Sequence, residues 1–145
     1  MFSKEEATQL RKLFWTSFGK SFPRKWLLYN TKIKGFAFKF VADTKKSMVC
    51  LDFEHPEDIA NELLYDQLLS LKILLETDYV PAVIFDENYE LDSGKVIRRI
   101  YVPFEGKFSI HNKNTWRDCY EFYVDQMSQF ELFFYEYEDF INQAI

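Results

Sequence analysis

The last third of the chain carries a stripe of aromatic side chains at helical spacing, and this stripe constrains the fold more than any other feature. Apolar residues recur there at alternating steps of four and three, the a/d spacing of a helix with one apolar side. The members of the stripe are Trp116, Tyr120, Tyr123, Met127, Phe130, Phe134, Tyr137 and Ile141. This spacing predicts one long helix over residues 115–143. Because exposed rings of this number are costly in water, the helix must pack against other parts of a protein.

Shorter patterns predict the remaining elements. Ser3 and Glu6 form a capping-box pattern before the first helix, and two stretches of alternating polarity each enclose a polar turn. We predict helices over residues 4–18, 57–76 and 115–143, strands over residues 36–41, 49–54, 80–85 and 96–102, and a short edge strand over residues 107–110. The order α-ββ-α-ββ-α predicts an α+β domain, in which helices pack on one face of an antiparallel sheet of four or five strands.

The composition predicts a single folded domain over residues 1–145. The apolar share is 48% and the net charge is -5, which excludes a disordered chain. No run of about 18 apolar residues is present, so we expect no contact with a membrane. Two cysteines without metal-site spacing and the absence of a signal-peptide pattern predict a cytoplasmic protein. The four glycines are isolated, so the sequence predicts no phosphate-binding loop and no cofactor.

The charges are distributed unequally along the chain. Residues 1–46 contain 11 Lys and Arg against 3 Asp and Glu, a net charge of +8, whereas the remaining residues carry -13. One interpretation is a nucleic-acid-binding surface, in which cations hold phosphates and aromatic rings stack on bases. Its candidate residues are Lys20, Arg24, Lys25, Trp26, Tyr29, Lys32 and Lys34. The other interpretation is internal pairing between the basic segment and the acidic C-terminal helix.

The width of the aromatic stripe predicts an interaction surface. The first helix is too short to cover the whole stripe, so the leading hypothesis is a non-enzymatic module that forms a homodimer or docks a protein partner. The expected interface residues are Phe130, Phe133, Phe134, Tyr137 and Phe140.

Asp52 and Glu54 provide a third hypothesis, a divergent metal-dependent nuclease. The two carboxylates are two residues apart on one strand, so both point to the same face. Carboxylate oxygens are the ligands that Mg²⁺ prefers. However, Pro56 stands where such nucleases carry a lysine, and no catalytic triad accompanies either histidine. The sequence therefore predicts no catalytic residues.

Several segments together resemble a known family. They are residues 14–19 (FWTSFG), residues 26–35 (WLLYNTKIKG), residues 53–56 (FEHP) and the aromatic, acidic C-terminal helix. Over nearly its whole length the chain resembles a bacterial and archaeal domain family of unknown function and of similar size. The resemblance implies that the domain occurs alone or behind a nuclease-like domain of restriction or DNA-repair type. It also implies an accessory role near nucleic-acid metabolism or defence, without catalytic residues to assign here.

Overall fold

The secondary structure follows the predicted order of helices and strands. A computed structural model describes residues 2–145 of the chain. Its elements are α1 (Lys4–Ser21), β1 (Phe36–Ala42), β2 (Ser47–Phe53), α2 (Asp58–Ser70), α3 (Lys72–Asp78), β3 (Ile84–Glu90), β4 (Val96–Pro103) and α4 (Trp116–Asn142), with a 3-10 turn over Lys113–Thr115. The 27 residues of α4 extend over about 40 Å at about 1.5 Å per residue. The α+β class and the long C-terminal helix are confirmed.

The first helix begins as predicted but ends later. The Glu6 N–H donates to Ser3 Oγ at 3.1 Å, and the Ser3 N–H donates to the Glu6 carboxylate at 3.2 Å, which completes the capping box. Gly19 lies inside the last turn rather than after it. The helix ends at Ser21 because Pro23 cannot continue it.

The predicted helix over residues 57–76 is divided into two helices at Leu71. Leu71 has φ −99° and ψ 3°, outside the helical region, and its N–H donates to the carbonyls of Leu68 and Leu69. After this break Leu75 is fully buried, whereas Ile73 is 77% exposed. The break therefore turns α3 so that its apolar side does not simply extend that of α2.

The strands form one antiparallel sheet in the order β1-β2-β4-β3. β2 is central and every one of its residues is buried. The sheet has four strands, because residues 107–110 contribute only one backbone hydrogen bond to the first hairpin, from Ile110 N–H to the Asp43 carbonyl at 3.1 Å. The predicted strand over residues 80–85 is displaced to β3, since a turn closed by the Val83 N–H and the Val80 carbonyl occupies its first part.

The core lies between one face of the sheet and the helices, as predicted. α1, α2 and α4 each contribute a ring that contacts a phenylalanine of this face. The pairs are Phe18 with Phe40, Tyr65 with Phe53 and Phe130 with Phe38, with ring centroids 5.1, 5.5 and 5.9 Å apart. Side chains alternate along a strand, so Lys39, Asp52 and Arg99 lie on the opposite face of the sheet.

The structure also bears on two predictions about exposure. Cys50 and Cys119 are free and fully buried, as expected of small apolar side chains. Burial raises the pKa of both thiols, which keeps them protonated and unreactive. Within residues 2–145, no helix has the length and hydrophobicity that crossing a membrane requires.

Candidate nucleic-acid interface

A buried carboxylate on α4 holds the segment that connects α1 to β1. We call this segment, residues 22–35, the α1–β1 loop; it contains no helix or strand. Glu131 is 3% exposed, and its Oε2 accepts a hydrogen bond from the Leu27 N–H at 2.6 Å. Its Oε1 accepts from Arg24 Nη2, and Arg24 Nη1 donates to Ser128 Oγ at 2.8 Å. The start of the loop is therefore fixed to α4 by charge-assisted hydrogen bonds.

The other end of the α1–β1 loop is fixed by Thr31 and Gly35. Thr31 is 1% exposed, and its hydroxyl donates to the Phe36 carbonyl at 2.6 Å. Gly35 has φ +70°, and its carbonyl accepts from the Glu54 N–H at 2.6 Å. A Cβ at Gly35 would lie 2.3 Å from the backbone nitrogen of His55, so only glycine fits this position. The loop consequently has a fixed conformation although it lacks regular structure.

The backbone of the loop turns Tyr29 outward. Leu28 has φ 46° and Lys32 has φ 64°, and both residues therefore lie in the left-handed region that non-glycine residues avoid. They are the two non-glycine residues with positive φ in the described part of the chain. Leu28 packs against the core, whereas Tyr29 is 75% exposed. Strained backbone of this kind is concentrated at ligand-binding sites in proteins.

The outward side chains of the loop and one residue of α4 line a shallow cavity with a volume of about 600 Å³. We call it the aromatic–basic cavity. Its lining residues are Lys25, Trp26, Leu27, Tyr29, Asn30, Lys32 and Tyr135. Tyr135 is 59% exposed, and the Arg24 guanidinium lies 4.1 Å from the ring centre of Trp26. The cavity thus combines two lysines with three aromatic side chains.

The electrostatic surroundings of the aromatic–basic cavity are positive. Residues 7–42 contain eight Lys and Arg and no Asp or Glu. Five lysines of this stretch take part in no ion pair among residues 2–145: Lys12, Lys20, Lys25, Lys32 and Lys34. Acidic residues follow Tyr135 toward the end of α4, at Glu136, Glu138 and Asp139. The positive surface is therefore one-sided, and it ends at α4.

The structure brings together four of the seven residues proposed for nucleic-acid binding. Lys25, Trp26, Tyr29 and Lys32 line one cavity. Arg24 lies beside it and is paired with Glu131. The two remaining lysines, Lys20 and Lys34, are exposed but do not line the cavity. The alternative interpretation, pairing with the acidic helix, is realised among residues 2–145 by one ion pair, that of Arg24 with Glu131.

Asp52 and Glu54 form salt bridges instead of the metal site that the nuclease hypothesis required. Asp52 is 1% exposed and accepts two hydrogen bonds from Arg99, at 2.7 and 2.8 Å. Lys39 Nζ lies 2.7 Å from Glu54 and 3.2 Å from Asp52, and Lys95 Nζ lies 3.4 Å from Glu54. Within residues 2–145, no three His, Cys, Asp or Glu side chains converge as metal ligands would. The cations occupy the positions around these carboxylates that metal coordination would need.

The ion pairs around Asp52 and Glu54 shift the pKa values of Glu54 and Lys39. The hydrogen bond from Lys39, with a further contribution from Lys95, lowers the pKa of Glu54 below its ordinary value. Burial lowers the pKa of Lys39, but the bond to Glu54 and the charge of Asp52 outweigh this effect and raise it. The cluster is thus charged and internally paired, which indicates a structural role on this face of the sheet.

The expected interface on α4 is wrong for three of its five residues. Phe130, Phe133 and Phe134 are each 1% exposed, because their rings pack inside the domain. Phe134 contacts two phenylalanines of β1, and Phe133 contacts the ring of Tyr79 at 5.5 Å. Tyr137 is half-buried and Phe140 is 37% exposed. The sheet and the segment after α3 cover the aromatic stripe that α1 alone does not cover.

Sequence patterns did not identify two residues of the site, Tyr135 and Glu131. Tyr135 lies outside the aromatic stripe, and its exposure depends on which side of α4 faces the loop. Glu131 is one of several acidic residues of the C-terminal helix, and their charge alone assigns it no specific role. Its position beside Phe130, at the edge of the apolar stripe, was the available signal that this carboxylate is buried.

Comparisons with known proteins assign the chain to a family. No curated protein and no solved structure matches the chain. The family model described as Domain of unknown function (DUF4268) matches residues 10–138, which include the α1–β1 loop and Tyr135. The resemblance to a domain family of unknown function is confirmed. Because the match covers most of its 145 residues, the chain belongs to the family Domain of unknown function (DUF4268).

Proposed function

We propose that this domain binds nucleic acid through the aromatic–basic cavity, as a non-enzymatic accessory module. The observation that carries the proposal is the position of Lys25 and Lys32 beside exposed rings on one anchored, concave surface. Lysines bind phosphates by releasing the counterions that surround a polyanion, and aromatic rings add contacts to bases or sugars. A neutral partner would not need the lysines, and an acidic protein would not need the exposed rings.

The charge distribution supports this proposal. Among residues 2–145, Glu131 is the acidic residue whose side chain forms hydrogen bonds with the loop, and Arg24 pairs with it. The lysines of the cavity therefore keep their charges available to an external anion. Lys20 and Lys34 extend the positive surface beyond the cavity, at the end of α1 and on the loop.

The fixed conformation of the loop also supports the proposal. Its backbone is held by Glu131, Thr31 and Gly35, so the lysines and rings are presented without an ordering cost for the backbone on binding. Electrostatic binding to phosphates in a fixed loop is expected to be strongly dependent on salt and weakly dependent on sequence.

A binding titration at several salt concentrations tests the proposal. A fluorescent oligonucleotide of mixed sequence is titrated with the wild-type protein, with Lys25→Gln/Lys32→Gln, and with the matched control Lys45→Gln/Lys107→Gln. The control removes the same charge from exposed lysines outside the cavity. We expect the cavity variant to bind more weakly, with a plot of log K against log salt that is shallower by about 0.7 for each lost phosphate contact. The control should retain the wild-type slope more closely than the cavity variant.

Two results contradict the proposed function. The first is the absence of salt-sensitive binding to any single-stranded or double-stranded DNA or RNA. The second is an equal loss of binding in the cavity variant and in the control, which would indicate general attraction by net charge rather than this site.

A further inference from the structure

We infer that the nucleic acid bound here is single-stranded and that its unpaired bases stack on Tyr29 and Tyr135. This inference rests on the proposed function and names the form of nucleic acid that the cavity selects. The two tyrosines come from different elements, the α1–β1 loop and α4, yet they line the same cavity. Rings that converge on one concave surface are a feature that binding to phosphates alone does not require.

The exposure of both rings is the first argument. Tyr29 is 75% exposed and Tyr135 is 59% exposed, although 19% of the chain is aromatic and most of the other rings pack together. Within residues 2–145, neither tyrosine hydroxyl takes part in a hydrogen bond between side chains or to the backbone. The polar and apolar parts of both side chains are therefore free to contact a ligand.

The strain in the loop is the second argument. A non-glycine residue populates the left-handed region about fivefold or more less than the right-handed region. The loop nevertheless keeps Leu28 and Lys32, which lie on either side of Tyr29, in this conformation. The Phe38 N–H donates to the Leu28 carbonyl at 3.1 Å, which fixes this conformation against the edge of β1. As a consequence, Leu28 points inward and Tyr29 points outward, as expected where backbone strain serves ligand binding.

The geometry of nucleic acids is the third argument. In a duplex the base faces are stacked on neighbouring bases, so a protein ring reaches them only after a base is unstacked. In a single strand the faces are accessible, and stacking on an aromatic ring adds to the attraction between lysine and phosphate. Lys25 and Lys32 line the same cavity as both rings, so phosphate and base contacts are available to one short strand.

A comparison of ligands and ring variants tests the inference. A single strand, the duplex of the same sequence and inorganic polyphosphate are each titrated against the wild-type protein, Tyr29→Leu, Tyr135→Leu, and the ring-conserving controls Tyr29→Phe and Tyr135→Phe. Leu132→Ala removes an exposed apolar side chain of α4 that does not line the cavity, and serves as a surface control.

We expect the single strand to bind more tightly than the duplex, and polyphosphate to compete poorly at equal phosphate concentration. Each leucine variant should bind the single strand about fivefold or more weakly, which is the effect of losing one stacked base. The phenylalanine variants and Leu132→Ala should bind within about twofold of the wild type, since stacking needs the ring and not its hydroxyl.

The outcomes separate this inference from the proposed function. If binding depends on salt and on Lys25 and Lys32, but the duplex binds as tightly as the single strand or the leucine variants bind normally, the inference is wrong and the proposed function stands. Polyphosphate that competes as well as the single strand also overturns the stacking of bases. If no nucleic acid binds at all, both fail together.

Discussion

Glu131 of α4 accepts a hydrogen bond at 2.6 Å from the backbone N–H of Leu27, two residues before Tyr29. This contact joins the longest helix of the domain to the loop that presents the candidate binding residues. The carboxylate is almost completely buried and also receives a hydrogen bond from Arg24. The shape of the cavity therefore depends on a residue that does not line it.

The variant Glu131→Ala should destabilise the domain and weaken nucleic-acid binding. The substitution leaves the Leu27 N–H without its acceptor and removes the partner of Arg24, and an unsatisfied buried group costs about 1–3 kcal/mol. The free energy of unfolding, measured by urea denaturation, should fall by this amount. Ser128→Ala, which removes the second acceptor of Arg24 and a hydrogen bond to the Val124 carbonyl within α4, should cost less than about 1 kcal/mol. Equal stability of Glu131→Ala and the wild type would show that the loop is held by other contacts.

The variant Gly35→Ala should be more destabilising than Gly94→Ala, although both glycines have positive φ. An alanine at φ +88°, the conformation of Gly94, has open space around its Cβ and incurs about 1–2 kcal/mol of backbone strain. At Gly35 the Cβ would also lie 2.3 Å from the His55 nitrogen, and the required backbone shift should add about 1–3 kcal/mol. Thermal or urea unfolding of the two variants measures this difference. A similar loss in both would mean that the contact between the loop and His55 yields easily.

The sequence was sufficient to predict the elements whose patterns are long and regular. The aromatic stripe predicted α4 within one residue at each end, and the alternation around Phe38 and Leu51 predicted the first hairpin. The break at Leu71 could not be predicted, because Leu71 continues the apolar spacing of α2 and carries no glycine or proline signal. The position of β3 depended on a turn at Val80 that a short β-branched run conceals.

The candidate site was predictable in its loop residues but not in its helix residues. Lysines interleaved with Trp26 and Tyr29 indicated the basic and aromatic character of the loop from sequence alone. The addition of Tyr135 and the anchoring by Glu131 depend on how α4 is rotated against the loop, which helical spacing does not determine. The same rotation explains why Phe133 and Phe134, predicted as an interface, are covered by the protein itself.

The buried pair of Asp52 and Arg99 should be sensitive to the loss of one partner. Both side chains are nearly inaccessible, so Asp52→Asn leaves the Arg99 charge buried without its counterion. Breaking a buried pair in this way costs about 3–5 kcal/mol, whereas replacing both partners by apolar side chains is close to neutral. We therefore expect Asp52→Leu/Arg99→Met to recover much of the stability that Asp52→Asn loses, as measured by urea denaturation. If the double variant is as unstable as Asp52→Asn, the lost charge pairing is not the cause.

The salt bridges of Glu54 should make the stability of the domain depend on pH in the acidic range. Lys39 and Lys95 lower the pKa of Glu54 below its ordinary value of 4.5, so the folded state binds this proton less readily than the unfolded state. The stabilisation by this carboxylate is complete above that value and is lost as the pH falls through the lower pKa of the folded protein. Glu54→Gln should therefore reduce the free energy of unfolding by about 0.5–1 kcal/mol at pH 7, where such partly exposed pairs contribute this amount, and the difference from the wild type should disappear on acidification. Urea denaturation of both proteins from pH 7 to acidic pH measures the difference, which added salt should reduce. A difference that persists unchanged in acid would assign the effect of Glu54 to packing rather than to its charge.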